Sequence, residues 1–101
     1  TLNSKHLKQD DGFSHALDLV AFVDNEVCWE NAVYERLGDH ILKAAKHVDL
    51  PLRWGGGWHL WDARTRNSCE EVYMEYVRLR TQAGRKVFCD MPHWEIGRED
   101  D

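Results

Sequence analysis

Near the C-terminus, Asp90-Met91-Pro92-His93-Trp94-Glu95-Ile96 sets three side chains that can bind a cation or move a proton into one short stretch. Pro92 bends the chain into an extended path. The alternation that follows puts His93 and Glu95 on one face of a strand. Far upstream, Ser4-Lys5-His6 brings a second histidine, and His15-Ala16-Leu17-Asp18-Leu19 brings a carboxylate inside an apolar run. Two histidines and one carboxylate form the protein ligand set of a catalytic zinc that keeps a fourth position for water. An acid three residues before the last histidine, Asp90, is placed to serve as the base for that water.

Each residue also has a plainer reading. His6 lies in a polar segment with a turn-like Asp10-Asp11-Gly12, and by itself reads as an exposed loop histidine. Residues 15–23 are almost continuously apolar and read as a buried strand. Asp18 within it needs a partner, because an unpaired buried carboxylate costs several kcal/mol, about the scale of a broken buried ion pair. Either Asp18 faces solvent on an edge, or a metal ion or an Arg or Lys partner meets that need. His40 and His47 have no ligand-type partner four residues on and read as surface residues.

The elements that must carry these groups follow from periodicity. A turn at Asp24-Asn25-Glu26 precedes a helix expected to open at Val27-Cys28-Trp29, to bury Ala32, Val33, Leu37, Ile41, Leu42, Ala45 and Val48, and to stop at Pro51. Leu52-Arg53-Trp54 reads as a short strand before Gly55-Gly56-Gly57. No Lys-Ser/Thr follows those glycines, so a phosphate cradle is excluded. Trp54, Trp58 and Trp61 could line a substrate wall or fill a core, and His59 is a candidate contact to substrate or to a ligand. Ser68-Cys69-Glu70-Glu71 has the form of a capping box, opening a second helix that ends at Gly84. Residues 86–89 read as the strand that delivers Asp90. The expected fold class is α+β, a small antiparallel sheet with two main helices.

Bulk properties narrow the function. With 101 residues, 43% apolar content and five tryptophans, the chain is one folded domain. A formal charge of −5 with scattered basic residues argues against nucleic acid, and no apolar stretch is long enough for a membrane span. Cys28, Cys69 and Cys89 make an odd count without C-x-x-C spacing, so they are expected to be reduced thiols.

In order along the chain, Thr1-Leu2-Asn3-Ser4-Lys5-His6-Leu7, His15-Ala16-Leu17-Asp18-Leu19, Leu52-Arg53-Trp54-Gly55-Gly56 and Asp90-Met91-Pro92-His93-Trp94-Glu95 resemble the phage L-alanyl-D-glutamate peptidase endolysins. That family is a branch of the zinc D-Ala-D-Ala carboxypeptidase (VanY-like) group, with a Hedgehog-type fold. The likeness covers almost the whole chain, and its specific part is the combination of Ser-x-His, Ala-x-Asp and Asp-x-Pro-His-x-Glu.

The resemblance implies that His6, Asp18 and His93 bind Zn2+ and that Asp90 is the general base. It leaves Glu95 and Ser4 to orient ligands or contact substrate. It also implies a monomeric peptidase for the peptidoglycan stem peptide, made in the host cytoplasm and acting on the wall at lysis. A D-Ala-D-Ala-type carboxypeptidase and an inactive zinc- or wall-binding module are the alternatives.

Three features depart from the family pattern. The stretch between His6 and Asp18 is longer than usual, so the site survives only if both ends of the insertion stay on adjacent backbone. His15, three residues before Asp18, would point to the opposite face of a strand, which favours His6 as the ligand. The segment over residues 62–85 is also long, and residues 1–101, read here as a single zinc peptidase domain, lack the family's upstream helix and strand.

Overall fold

The computed structural model describes residues 5–11 and 14–99; Ser4 and Gly12 lie outside them. The elements run β1 (Ala16–Asp18), β2 (Ala21–Val23), β3 (Glu26–Cys28), α1 (Asn31–Val48), β4 (Leu52–Trp54), a 3-10 turn at Ala63–Thr65, α2 (Cys69–Gln82) and β5 (His93–Ile96). Two helices with small antiparallel sheets make the expected α+β fold. Among the described residues no helix is long and apolar enough to cross a membrane.

β5 is the centre of a three-stranded sheet ordered β1-β5-β4, antiparallel on both sides. Its register fixes the faces. Asp18 lies opposite His93, while Ala16 and Arg53 flank Glu95 from the two sides. Because side chains alternate, Leu17, Trp94 and Trp54 fall on the other face. There Trp54 and Trp94 stack with centroids 5.7 Å apart, and the Trp54 indole N–H donates to the Met91 carbonyl at 2.8 Å. One face of β5 is thus core and the other carries the polar groups.

Helix α1 buries Tyr34, Gly38, Leu42 and Ala45, an amphipathic stripe at helical spacing. It ends at Asp49, whose left-handed conformation lets its N–H donate to the Ala45 carbonyl, ahead of Pro51. Helix α2 opens as the capping box predicts: Ser68 Oγ accepts from the Glu71 N–H at 3.1 Å. Asp39 of α1 also accepts from the Cys69 N–H at 2.7 Å, so one helix caps the other. Cys69, Val72 and Tyr76 face inward.

Three expectations fail here. The run over residues 15–23 is two strands, broken at Leu19-Val20, and is largely exposed: Leu17 is 52% and Phe22 66% accessible. Leu19 N–H donates to the Pro92 carbonyl at 2.8 Å, after which the chain turns away from the sheet. Second, residues 26–28 form β3 rather than a helix start. Asp24 (φ 52°) and Asn25 (φ 67°) both have positive φ, the signature of a type I′ hairpin turn, and the pairing of Ala21 with Cys28 closes the ladder. Third, residues 86–89 are not a strand. Tyr76 O–H and Arg80 Nε reach from α2 to the Phe88 and Lys86 carbonyls, which engages acceptors a ladder would require.

Gly38 marks where α1, α2 and β5 meet. A Cβ there would collide with Cys69 Sγ and stand 3.1 Å from Trp94 Cζ2. Gly38→Ala should therefore lower unfolding free energy by about 1–2 kcal/mol, although alanine is intrinsically favoured in a helix by up to about 1 kcal/mol. Chemical denaturation tests this, and an equally stable or more stable variant would contradict the packing described.

Candidate metal centre

The first ligand candidate depends on how the N-terminal loop closes. Lys8 and Ser14 form an antiparallel bridge, and the His15 N–H donates to the Lys5 carbonyl at 2.8 Å. The two ends of the insertion therefore lie on adjacent backbone, and His6 is returned to the edge of β1. His15 itself bonds Asp11 Oδ2 at 2.7 Å rather than joining Asp18.

Three donors from these separate segments converge. His6 Nε2 is 3.1 Å from His93 Nδ1 and 3.6 Å from Asp18 Oδ1, and His93 Nδ1 is 3.3 Å from Asp18 Oδ1. Zinc–ligand bonds of about 2.0–2.1 Å at tetrahedral angles separate donor atoms by about 3.3–3.4 Å. The triangle fits that requirement on all three edges. It is the one group of three or more possible ligands found among the described residues.

Protonation chemistry supports the same use. His93 Nε2 lies 2.9 Å from Glu95 Oε1, and Glu95 is buried. An ionised carboxylate only accepts, so the ring proton sits on Nε2 and leaves the Nδ1 lone pair facing the triangle. A proton on His6 Nε2 can bridge to one neighbour well, whereas a divalent cation serves all three donors. A histidine whose far nitrogen is held by a carboxylate is the usual arrangement behind a metal ligand.

The opening of the site also follows. The side chains of His6 and Asp18 are 40% and 51% accessible, but His93 is only 9%. The Asp18 carboxylate is half exposed, as the edge-strand reading of this residue has it, because β1 lies at the sheet edge and Asp18 is its last residue. One ligand is anchored in the protein and two face solvent, which leaves an approach for water and substrate.

Asp90 is positioned by backbone. Its N–H donates to the Gly55 carbonyl at 2.8 Å, its carbonyl accepts from the His93 N–H at 3.0 Å, and the Gly55 N–H donates to the His93 carbonyl at 2.9 Å. A Cβ at Gly55 would overlap the Asp90 carbonyl, so only glycine lets β4 approach this turn. The Asp90 residue itself is exposed.

The aromatic candidates separate. Trp54 is completely buried on the core face, so it supports the sheet instead of lining the site. Trp58 lies against the site, its ring 5.1 Å from that of His93. His59 is drawn elsewhere: Nε2 contacts Glu75 Oε1 at 2.9 Å, and Glu75 is also held by Arg66 at 2.7 Å.

Arg53 had no role in the sequence reading beyond its strand. Its guanidinium donates to the Trp58 carbonyl at 2.6 Å and lies 3.8 Å from the centroid of Trp61, which fixes Trp58 beside His93. Arg53 shares the face of Glu95 through the β4–β5 register, which the spacing of Leu52-Arg53-Trp54 does not reveal.

The sequence model of the phage L-alanyl-D-glutamate peptidase family matches residues 1–77. The chain belongs to that family. The match includes His6 and Asp18, while Asp90 and His93 follow it; His93 is tied to Asp18 by the β1–β5 register, and Asp90 to His93 by a backbone hydrogen bond. Neither curated proteins nor solved structures give a match.

The pair around Glu75 predicts a pH response. Arg66 first, and His59 second, hold its carboxyl down at about 2 against the opposing effect of burial. A depressed carboxylate contributes stability that is present above the unfolded-state value, near 4.5, and is lost as pH falls toward about 2. NMR titration should place the Glu75 midpoint near 2, and Arg66→Met should raise it. A midpoint near 4.5 in the unaltered protein would contradict the pairing.

Proposed function

We propose that this member of the phage peptidase family is a zinc-dependent endopeptidase that hydrolyses the L-Ala–D-Glu bond in the stem peptide of peptidoglycan. The family supplies the reaction class, a peptidase acting on peptidoglycan. The observation that carries the metal dependence is the donor triangle of His6, Asp18 and His93, with edges of 3.1, 3.3 and 3.6 Å.

Zinc held by these residues would supply Lewis-acid polarisation of the scissile carbonyl and of the attacking water. The remaining work belongs to the chain. The Asp90 carboxylate accepts a proton from water as its oxygen attacks the carbonyl carbon. It returns that proton to the nitrogen of the departing D-glutamyl residue, so the amide and water become a carboxylic acid and an amine. Glu95 holds the His93 imidazole in one tautomer and orientation. Trp58, packed on His93 and anchored through Arg53, shields the inner side of the site from water.

Biologically, the proposal is a host-lysis enzyme, made in the host cytoplasm and reaching the wall at the end of infection. Products identify the bond. Mass spectrometry of digested sacculi should find new alanine carboxyl and glutamate amino termini; release of terminal D-alanine would instead support a carboxypeptidase.

Two variants test the roles. Asp90→Ala should reduce turnover by about 10²–10⁴-fold while retaining one zinc per chain, the range for loss of a general acid–base group. His93→Ala should lose both zinc and turnover. Full activity of Asp90→Ala, or unchanged metal content of His93→Ala, would contradict these assignments.

A further inference from the structure

The loop that carries Asp90 also forms one wall of a second recess. A cavity of about 270 Å³ is lined by Trp29, Asn31, Tyr34, Asp90 and Pro92, among others. It begins at the residue immediately before His93. Its opposite wall comes from the end of the β2–β3 hairpin and the start of α1.

Trp29 is 66% exposed, unusual for so large an apolar ring. One ring of the protein nevertheless stacks with it. The indole lies nearly parallel to Tyr34, 14° between planes and 6.3 Å between centroids. Tyr34 is buried, and its hydroxyl accepts from the Ala21 N–H at 3.2 Å and donates to the Cys28 carbonyl at 2.8 Å. One phenol thus binds both hairpin strands to α1 and provides a rigid backing for the tryptophan. The result is a flat aromatic surface held open to water beside a side-chain amide and a carboxylate.

This combination suits a sugar. The C–H face of a pyranose can cover an aromatic plane, while its hydroxyl and acetamido groups take hydrogen bonds from polar groups at the rim. A purely apolar occupant would make no use of the hydrogen bonds that the exposed Asn31 and Asp90 offer at the rim. Position argues for the same ligand. In a peptidoglycan stem the alanine of the L-Ala–D-Glu pair is the residue joined to the glycan through a lactyl group. The sugar therefore lies about two residue lengths, ~7 Å, from the bond to be cut. A subsite for it must adjoin the residue proposed to move the proton, and this cavity shares Asp90.

We propose that the cavity between Trp29, Asn31 and Asp90 is a saccharide subsite for the N-acetylated sugar that bears the stem peptide. Trp29 stacks on the ring and Asn31 hydrogen-bonds its polar substituents. Its placement rests on the peptidase function proposed above; its sugar chemistry rests on the cavity. The enzyme then reads the stem at its glycan-proximal end and favours wall-attached peptide over free peptide.

The test compares a disaccharide-linked stem peptide with the same peptide lacking sugar. The unaltered zinc-loaded protein should show kcat/KM at least about tenfold higher for the linked substrate, a difference of about 1.4 kcal/mol. Trp29→Ala should bring that ratio close to one, and Trp29→Phe should restore much of it. A ratio near one in the unaltered protein, or an unchanged ratio in Trp29→Ala, overturns the subsite while leaving the peptidase standing.

A second measurement does not depend on turnover. Titration with N,N′-diacetylchitobiose should shift the Trp29 indole N–H resonance in the folded protein. No shift at millimolar sugar overturns the proposal. If Trp29 responds but neither peptide is cut, the sugar site stands and the peptidase function fails. If Trp29→Ala abolishes self-association in sedimentation and the sugar has no effect, the surface is a contact between two copies and the proposal fails.

Discussion

The contact between His93 and Glu95 is the constraint on which the candidate site depends. Both are buried on the central strand of the sheet, two residues apart on one face, 2.9 Å from each other. Burying an imidazole beside a carboxylate is costly unless each satisfies the other. Here the pairing fixes which ring nitrogen faces outward. That nitrogen is the inner corner of a triangle whose other two corners come from an edge strand and a loop.

The rest of the fold can be understood as keeping that strand in place. The opposite face of β5 contributes Trp94 to a tryptophan pair with Trp54, and Trp94 also lies against Gly38 of α1. β4 holds the turn over residues 90–93 through Gly55, and β1 brings Asp18 into register with His93. Rigid support lies under the buried corner, and accessible side chains form the other two. A site that must admit a large polymeric substrate needs this asymmetry, because precision and access are required of different residues.

Much of this was legible in the sequence, for reasons particular to the residues. The alternation in His93-Trp94-Glu95-Ile96 has period two, and placed His93 and Glu95 together correctly. The capping box at Ser68 specified the start of α2 through local hydrogen bonds, which need no tertiary context. Residues 15–23 misled because their apolar content reads as burial, although side chains such as Phe22 and Leu17 stand exposed on short strands. Val27-Cys28-Trp29 fits either period, so the sequence alone extends the helix too far toward the N-terminus; the feature that decides for a strand is the positive-φ pair Asp24-Asn25, which closes a hairpin. Arg53 and Trp58 could not be placed from spacing, since their contact depends on the path of the glycine-rich turn between them.

The most direct measurement is a zinc-bound crystal structure with the ion located by anomalous scattering at the zinc edge. Convergence of the three donors predicts one ion coordinated by His6 Nε2, Asp18 Oδ1 and His93 Nδ1, with His93 Nε2 still bonded to Glu95. An ion bound elsewhere, or one reached by His93 through Nε2 with Glu95 displaced, would contradict the site described.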